Sequence, residues 1–242
     1  MFPTLVIGGR TLKQLVRDRR FLALSLVAPL VITYFLKLFF DAQGSAMLVD
    51  RYALPISAMI VHFLAFVLSA IALTAERTGG TLERVLIVGY RKRQLIYGYA
   101  VAYGSLGALQ SLIVLGSAKY LLNLTYSSEI FLKVGGIMLL LALISVALGI
   151  LVSASARKEV QVLPFIPLIL LPSVFISGML IDMDKLPTWA QVVGHILPLH
   201  YAVDYIMHVL SNTGSLAPNV FALVGILMGL LLLAPFTIHE RG

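Results

Sequence analysis

The chain has 242 residues, of which 60% are hydrophobic and 12% charged, with a formal net charge of +7 and no cysteine. A soluble domain needs roughly 25% charged residues to wet its surface, so this balance excludes an ordinary soluble protein and points to an integral membrane protein. Without cysteine there are no disulfides, thiol nucleophiles or cysteine metal sites, and the excess of basic residues lies between apolar runs, where membrane orientation explains it better than nucleic acid does.

Residues 1–20 come first. Arg10, Lys13, Arg17 and Arg20 recur at helical spacing, with Leu5, Leu12, Leu15 and Val16 on the opposite side. This predicts an amphipathic helix in the membrane interface, its cations beside anionic headgroups, with Gly8-Gly9 interrupting it. The segment does not read as a cleavable signal, because the apolar run that follows is long enough to span.

Six apolar segments follow, at 21–40, 54–74, 96–122, 132–154, 160–181 and 217–238. Each approaches the roughly 20 helical residues that cross a hydrocarbon core. The expected fold is an all-α integral membrane protein forming one transmembrane domain over 1–242. The third segment has room to tilt. The fifth carries Pro164, Pro167 and Pro172 and should be a kinked span. Gly225 and Gly229 in the sixth form a GxxxG, a candidate close helix contact.

Thirteen basic residues lie on one side of this topology: Arg10, Lys13, Arg17, Arg19, Arg20, Arg77, Arg84, Arg91, Lys92, Arg93, Arg157, Lys158 and Arg241. Lys37, Arg51, Lys119, Lys133 and Lys185 lie on the other. The positive-inside bias therefore places both termini in the cytoplasm of a multi-pass protein.

The connection at 75–95 is polar. Thr81 is a capping-type residue before a run of helix formers, and Leu82, Val85 and Leu86 make a small apolar face ringed by Glu76, Arg77, Glu83 and Arg84. A short charged helix of this kind suits docking into a groove on a soluble partner, or packing on the protein's own helix ends. The outer segment 178–216 is long and fairly apolar. Leu186, Trp189, Val192, Val193 and Ile196 have helical spacing, as do Leu199, Val203, Ile206, Met207 and Leu210. They predict two short helices broken at Pro198, dipping into the outer interface. Asp182, Asp184, Lys185, His195, Asp204 and His208 interrupt the segment too often for a full span.

The sequence contains no G-x-x-x-x-G-K-[ST], no H-E-x-x-H and no G-x-S-x-G, so it offers no phosphate-cradling loop and no familiar hydrolase motif. His195, His200 and His208, with Asp204, could be drawn as an outer zinc site, but water, headgroup or backbone are commoner partners for interfacial histidines, and no metal site is expected. Asp182 and Asp184 read as a solvated loop beside Lys185. His62 is the one ionisable group deep in the second span, either a functional group or a neutral imidazole bonded between helices. A membrane-embedded enzyme would need convergent polar groups, and Ser145, Ser153 and Ser155 face no acid or base.

The segment Glu76-Arg77-Thr78-Gly79-Gly80-Thr81-Leu82-Glu83-Arg84 looks like the Glu-Arg-Glu-x-Gly-Thr-Leu-Glu coupling-helix signature of the membrane subunits of type-2 ABC exporters. Phe175, Ser177, Gly178 and Met179, then Leu186, Pro187 and Trp189, then Pro198, Leu199, Tyr201, Ala202 and Asp204 are similar to the drug-exporter branch of that family. The resemblance covers nearly the whole chain. Thr78 departs from the family's usual Glu, which implies a weaker polar contact to the partner or a subfamily with another substrate, and Gly89 and Tyr99 stand where Pro and Lys are common.

The resemblance implies a permease that is no enzyme itself and holds no cofactor. Two copies of a separate subunit would bind ATP and Mg. A second copy of this permease, or a related one, would complete the pathway in the plasma membrane of a prokaryote. It implies ATPase contacts at Glu76, Arg77, Gly80, Thr81, Leu82, Glu83 and Arg84, and a second contact at Arg10, Lys13 and Arg17. It also implies an outer hairpin marked by Gly178, Pro187, Trp189, Pro198 and Tyr201, and a substrate route near His62, Pro164 and Pro167. The walls of spans one, two and five are almost uncharged, so the expected cargo is hydrophobic or amphipathic: a drug, lipid or lipid-linked compound. Ions or a polysaccharide, or a non-transporting anchor that recruits a cytoplasmic protein, are the alternatives.

Overall fold

The structure, a computed structural model, describes residues 3–156 and 158–237, with the side chains of Thr81, Leu82, Glu83, Glu159 and Thr237 left out. The described residues are helical and contain no strand. The helices are α1 (Pro3–Arg17), α2 (Arg19–Gln43), α3 (Ala46–Thr78), α4 (Thr81–Ile87), α5 (Lys92–Leu121), α6 (Ser128–Ser155), α7 (Phe165–Ile176), α8 (Thr188–Gly194), α9 (Pro198–Ser211) and α10 (Ala217–Leu233).

Among the described residues five helices are long and apolar enough to cross a membrane: α2, α3, α5, α6 and the run Ala217–Phe236 that begins with α10. The expected span at 160–181 takes a different form. A 3-10 turn at Glu159–Val162 leads into α7, whose 12 residues stop at Ile176. At about 1.5 Å per residue α7 is roughly 18 Å long, short of a hydrocarbon core of about 30 Å. Its prolines explain this. Pro164 caps the helix, Pro167 follows in its first turn, and Pro172 removes an internal N–H. Gly178, at φ +86°, then turns the chain.

The centre of the bundle is the pairing of α3 with α6. Leu54, Val61, Phe66 and Leu73 of α3 and Leu141, Ile144 and Ile150 of α6 are fully buried. Gly149 brings the two backbones together: a Cβ there would lie 2.8 Å from the Phe66 carbonyl oxygen and 2.9 Å from the Ala70 nitrogen. Gly225 and Gly229 are different. A Cβ at either would meet nothing within 4 Å, so the GxxxG makes no close contact within this chain.

Gly8-Gly9 does not interrupt α1, which runs unbroken from Pro3 to Arg17. The glycine is a packing device. A Cβ on Gly8 would stand 3.2 Å from the Gly98 carbonyl oxygen of α5, and one on Gly98 would stand 2.6 Å from Ile7. The helix therefore presents three faces. Ile7, Gly8, Thr11 and Leu15 bury against the bundle, Leu5, Leu12 and Val16 stay exposed, and Arg10, Lys13 and Arg17 form the exposed basic face. Leu15, expected on the lipid side, packs inward.

Helix α2 is held to α5 by a polar repair. Pro29 has no N–H, so the Ser25 carbonyl loses its helical donor. The Gln110 side-chain amide of α5 donates to that oxygen at 3.1 Å. Two turns further on, Ser117 donates to the Thr33 hydroxyl at 3.2 Å. Gln110→Ala is expected to lower thermal stability by about 1 kcal/mol, the size of an interhelical hydrogen bond in a membrane. In a Pro29→Ala background the Ser25 carbonyl regains its own partner, and the same substitution should then cost much less. Thermal denaturation of the four proteins of that cycle checks it.

Candidate functional site

The basic end of the bundle gathers α1, the end of α3, α4 and the start of α5. Helix α3 continues to Thr78, beyond the expected end at 74. Its phase therefore governs Glu76 and Arg77. Ser69, Leu73 and Glu76 share one buried face, at i, i+4 and i+7. Glu76 is only 8% exposed. The Tyr99 hydroxyl of α5 donates to Glu76 Oε2 at 2.5 Å, the Tyr103 hydroxyl acts on the same carboxylate, and Arg10 of α1 supplies a positive charge nearby.

Arg77 turns inward as well. Its Nη1 donates to the Ser153 carbonyl near the C-terminus of α6 at 3.3 Å, where unpaired carbonyls and the helix dipole favour a cation. Its Nε and Nη2 are buried with no partner among the described residues. Glu76 and Arg77 thus both tie α3 to its own bundle, the second of the two roles open to the charged residues of this connection.

After α3 the chain reverses through Gly79 and Gly80. Gly80, at φ +70°, is the N-cap of α4, the role expected of Thr81. A Cβ on Gly80 would meet nothing, so backbone conformation rather than space favours glycine there. The side chains of Thr81, Leu82 and Glu83 lie outside the described residues. Arg84 is exposed. Val85 is buried and Leu86 half-buried against the core, so the apolar face expected for docking is partly spent on the protein itself. Among the described side chains of this turn, the apolar residues left exposed are Ile87, at 84%, and Val88, at 76%. Sequence reading passed over them. Their signal is two β-branched residues immediately before Gly89, whose φ of +97° ends the turn.

The substrate-route residues do not gather. His62 is fully buried between α3 and α6, with Nδ1 2.7 Å from the Ser145 hydroxyl oxygen. That hydroxyl donates to the Leu141 carbonyl at 2.6 Å, so the imidazole Nδ1–H is the donor to Ser145. His62 Nε2 is buried without a partner among the described residues. The imidazole therefore bonds helix to helix and lines no open surface. Pro164 and Pro167, by contrast, are exposed at the start of α7.

At the other end, α8 and α9 follow one another across a short turn, and each packs against α7. Pro187 caps α8 and Pro198 opens α9. Trp189 is exposed, and the Tyr201 hydroxyl donates to the His195 carbonyl at 2.8 Å, closing the turn between the two helices. His195 and His200 each direct Nδ1 at a backbone carbonyl. Among the described residues no three His, Asp or Glu side chains are placed to share a metal ion. Asp182 is bonded to Lys185 at 2.7 Å, and that ammonium holds its carboxyl below the ordinary range.

Residues 4–211 match the family model described as ABC-2 type transporter. The linearmycin resistance permease protein LnrN of Bacillus subtilis is 24% identical over 152 residues, 63% of this chain and 39% of that protein. The probable multidrug ABC transporter permease YbhR of Escherichia coli is 23% identical over 159 residues, 66% of this chain and 43% of that protein. The putative transport permease ycf38 of Pyropia yezoensis is 25% identical over 202 residues, 81% of this chain and 69% of that protein. The chain spans about two fifths of the length of the first two. Permeases of this family generally work with a separate ATP-binding subunit. With five membrane-length helices and a family match over most of its length, this chain is a multi-pass membrane permease belonging to the ABC-2 type transporter family.

Proposed function

We propose that the chain is the permease subunit of an ATP-driven exporter, moving a hydrophobic or amphipathic compound outward across a prokaryotic plasma membrane. Two copies of the chain, or this chain and a related one, form the route. Two copies of an ATP-binding subunit, carrying ATP and Mg, dock on their cytoplasmic ends. Both termini lie in the cytoplasm, and α7 with its preceding turn makes a sixth crossing. The names of LnrN and YbhR, one a linearmycin resistance permease and one a multidrug permease, support an amphipathic cargo.

The observation that carries the reading is the tip of α4. Ile87 and Val88 stand exposed beside Arg84, at the end of the short helix that follows α3 across Gly79-Gly80. Exposed apolar residues ringed by charge mark a docking surface. The basic face of α1, with Arg10, Lys13 and Arg17, adds a second point of contact.

The test is co-purification with the ATP-binding subunit, followed by ATPase and flux measurements in vesicles. Ile87→Asp combined with Val88→Asp should reduce capture of the subunit and stimulated ATPase by about tenfold, the effect of losing a small interface hot spot. Folding should be unaffected, because both side chains are exposed. Equal capture by the variant would move the docking surface elsewhere. Flux without the ATP-binding subunit would end the exporter reading, and capture without flux would leave the anchor.

A further inference from the structure

The outer end of the bundle, opposite α4, holds a cavity of about 770 Å³ that joins Asp50 of α3 to the turn after α7 and to α8 and α9. Its carboxylates Asp50 and Asp184 are exposed, as solvated groups are. A second hollow, of about 430 Å³, is of another kind. It runs along the side of the bundle. Small residues of α5 form one wall, Leu227 and Leu231 of α10 form the other, and Leu143 of α6 lies between them.

The sequence of α5 keeps this groove open. Helix α10 packs on α6 and α9, which leaves a cleft between it and α5. Along the cleft α5 carries Ala100, Gly104 and Ala108, one every four residues, so no large side chain fills it. At Gly104 an added Cβ would stand 2.8 Å from the Leu143 side chain. The Ser105 hydroxyl donates to the Val101 carbonyl at 2.7 Å, so it asks nothing of an occupant. The groove is therefore apolar. It opens between membrane-length helices, where the surrounding medium is acyl chain rather than water.

Length and charge narrow the occupant. From Tyr97 to Ala108 the groove follows about 16 Å of helix, at about 1.5 Å per residue. That is one leaflet, half of a hydrocarbon core of about 30 Å. Arg93 stands one turn before Tyr97. Arg93, Tyr97, Ala100 and Gly104 fall at i, i+4, i+7 and i+11, on one face of α5. Arg93 is exposed, and its guanidinium has no partner among the described residues. Tyr97 is half-buried at the mouth, where an aromatic ring with a polar tip suits the headgroup level. A free guanidinium at the mouth of a dry groove one leaflet deep describes a lipid with a negative headgroup.

We infer that this groove holds an anionic phospholipid of the leaflet on the α4 side, its phosphate on Arg93 and one acyl chain between α5 and α10. The site stands apart from the exporter reading, because it needs neither cargo nor an ATP-binding subunit.

The experiment uses the full chain in vesicles of phosphatidylcholine. Trp189→Phe removes the chain's one tryptophan, and Tyr97→Trp places a fluorescent reporter at the mouth of the groove. Dibrominated phosphatidylglycerol or dibrominated phosphatidylcholine is added in equal, increasing fractions, and quenching of the reporter ranks the two lipids. Phosphatidylglycerol should bind about fivefold more tightly, the worth of one Arg beside an anionic headgroup. Arg93→Gln should remove that preference. Arg91→Gln should keep it. Arg91 is exposed too, but it is the N-cap of α5 and lies off the groove face, so the pair separates a seated headgroup from general attraction to a basic surface. Ala108→Phe fills the groove and should lower quenching by both lipids. Ala108→Leu is the milder filling if thermal denaturation shows the first variant unfolded. Equal binding of the two lipids, or a preference that survives Arg93→Gln or falls equally with Arg91→Gln, overturns the site. So does quenching that ignores the filling of position 108. A reporter that neither lipid quenches overturns it as well, and is the result expected if a second copy of the chain covers the groove.

Discussion

Gly149→Ala should be among the most destabilising single-methyl additions in this chain, by about 1–3 kcal/mol, and Gly149→Val should prevent accumulation of folded protein. The added Cβ would sit 2.1 Å from Ser69 Oγ, which can rotate away. It would also sit 2.8 Å from the Phe66 carbonyl oxygen and 2.9 Å from the Ala70 nitrogen, which cannot. Helices α3 and α6 must therefore separate. One turn away, that separation pulls on the His62–Ser145 hydrogen bond of 2.7 Å, and its loss leaves the imidazole Nδ1–H unpaired in an apolar interior, while Ser145 keeps its bond to the Leu141 carbonyl. Gly225→Ala is the control, since its Cβ meets open space. It should be neutral or mildly stabilising, as expected where a helical glycine gives way to alanine. Thermal midpoints of the three purified proteins decide the matter. A wild-type midpoint for Gly149→Ala would mean that α3 and α6 are not so close in the working protein.

The long helices were legible because nothing competes with hydropathy over 20 residues. Helices α2, α3 and α6 contain the segments predicted from composition, and Pro198 opens α9 where a break between two short helices was expected. The errors sit where one residue serves two possible partners. Glu76 and Arg77 read as surface charges because the second span was expected to end at 74. Four more helical residues put Glu76 on the buried face with Leu73. Gly8-Gly9 read as a helix breaker because a propensity scale prices glycine in isolation, whereas here the missing Cβ lets α1 approach Gly98. The apolar stripe of α4 was visible, but amphipathicity does not say whose surface it covers, and Val85 covers the protein's own. The outer cavity was out of reach, because it joins Asp50 to residues more than 120 positions away.

Tyr99→Phe should separate docking from transport. The Tyr99 hydroxyl is the strongest polar link between the end of α3 and α5, bonded at 2.5 Å to a carboxylate that is almost wholly buried. Removing it deprives that carboxylate of one donor at a cost of about 1–3 kcal/mol, with Tyr103 and Arg10 left to share it. The docking residues Ile87 and Val88 are untouched, so the ATP-binding subunit should still co-purify. Under the exporter reading a push on α4 reaches α3 through Gly79-Gly80, and Glu76 passes it to α5. Without the hydroxyl the end of α3 can move alone. Cargo flux per ATP hydrolysed should then fall by about tenfold, which corresponds to 1.4 kcal/mol of lost coupling. Glu76→Gln tests the same bond from the other side: its side-chain oxygen still accepts from Tyr99, so the link survives without the charge and flux should fall far less. Tyr99→Lys replaces the hydroxyl with an ammonium facing Glu76 and should also retain coupling. If Tyr99→Phe exports as the parent does while Glu76→Gln fails, the charge on Glu76 matters and its bond to Tyr99 does not.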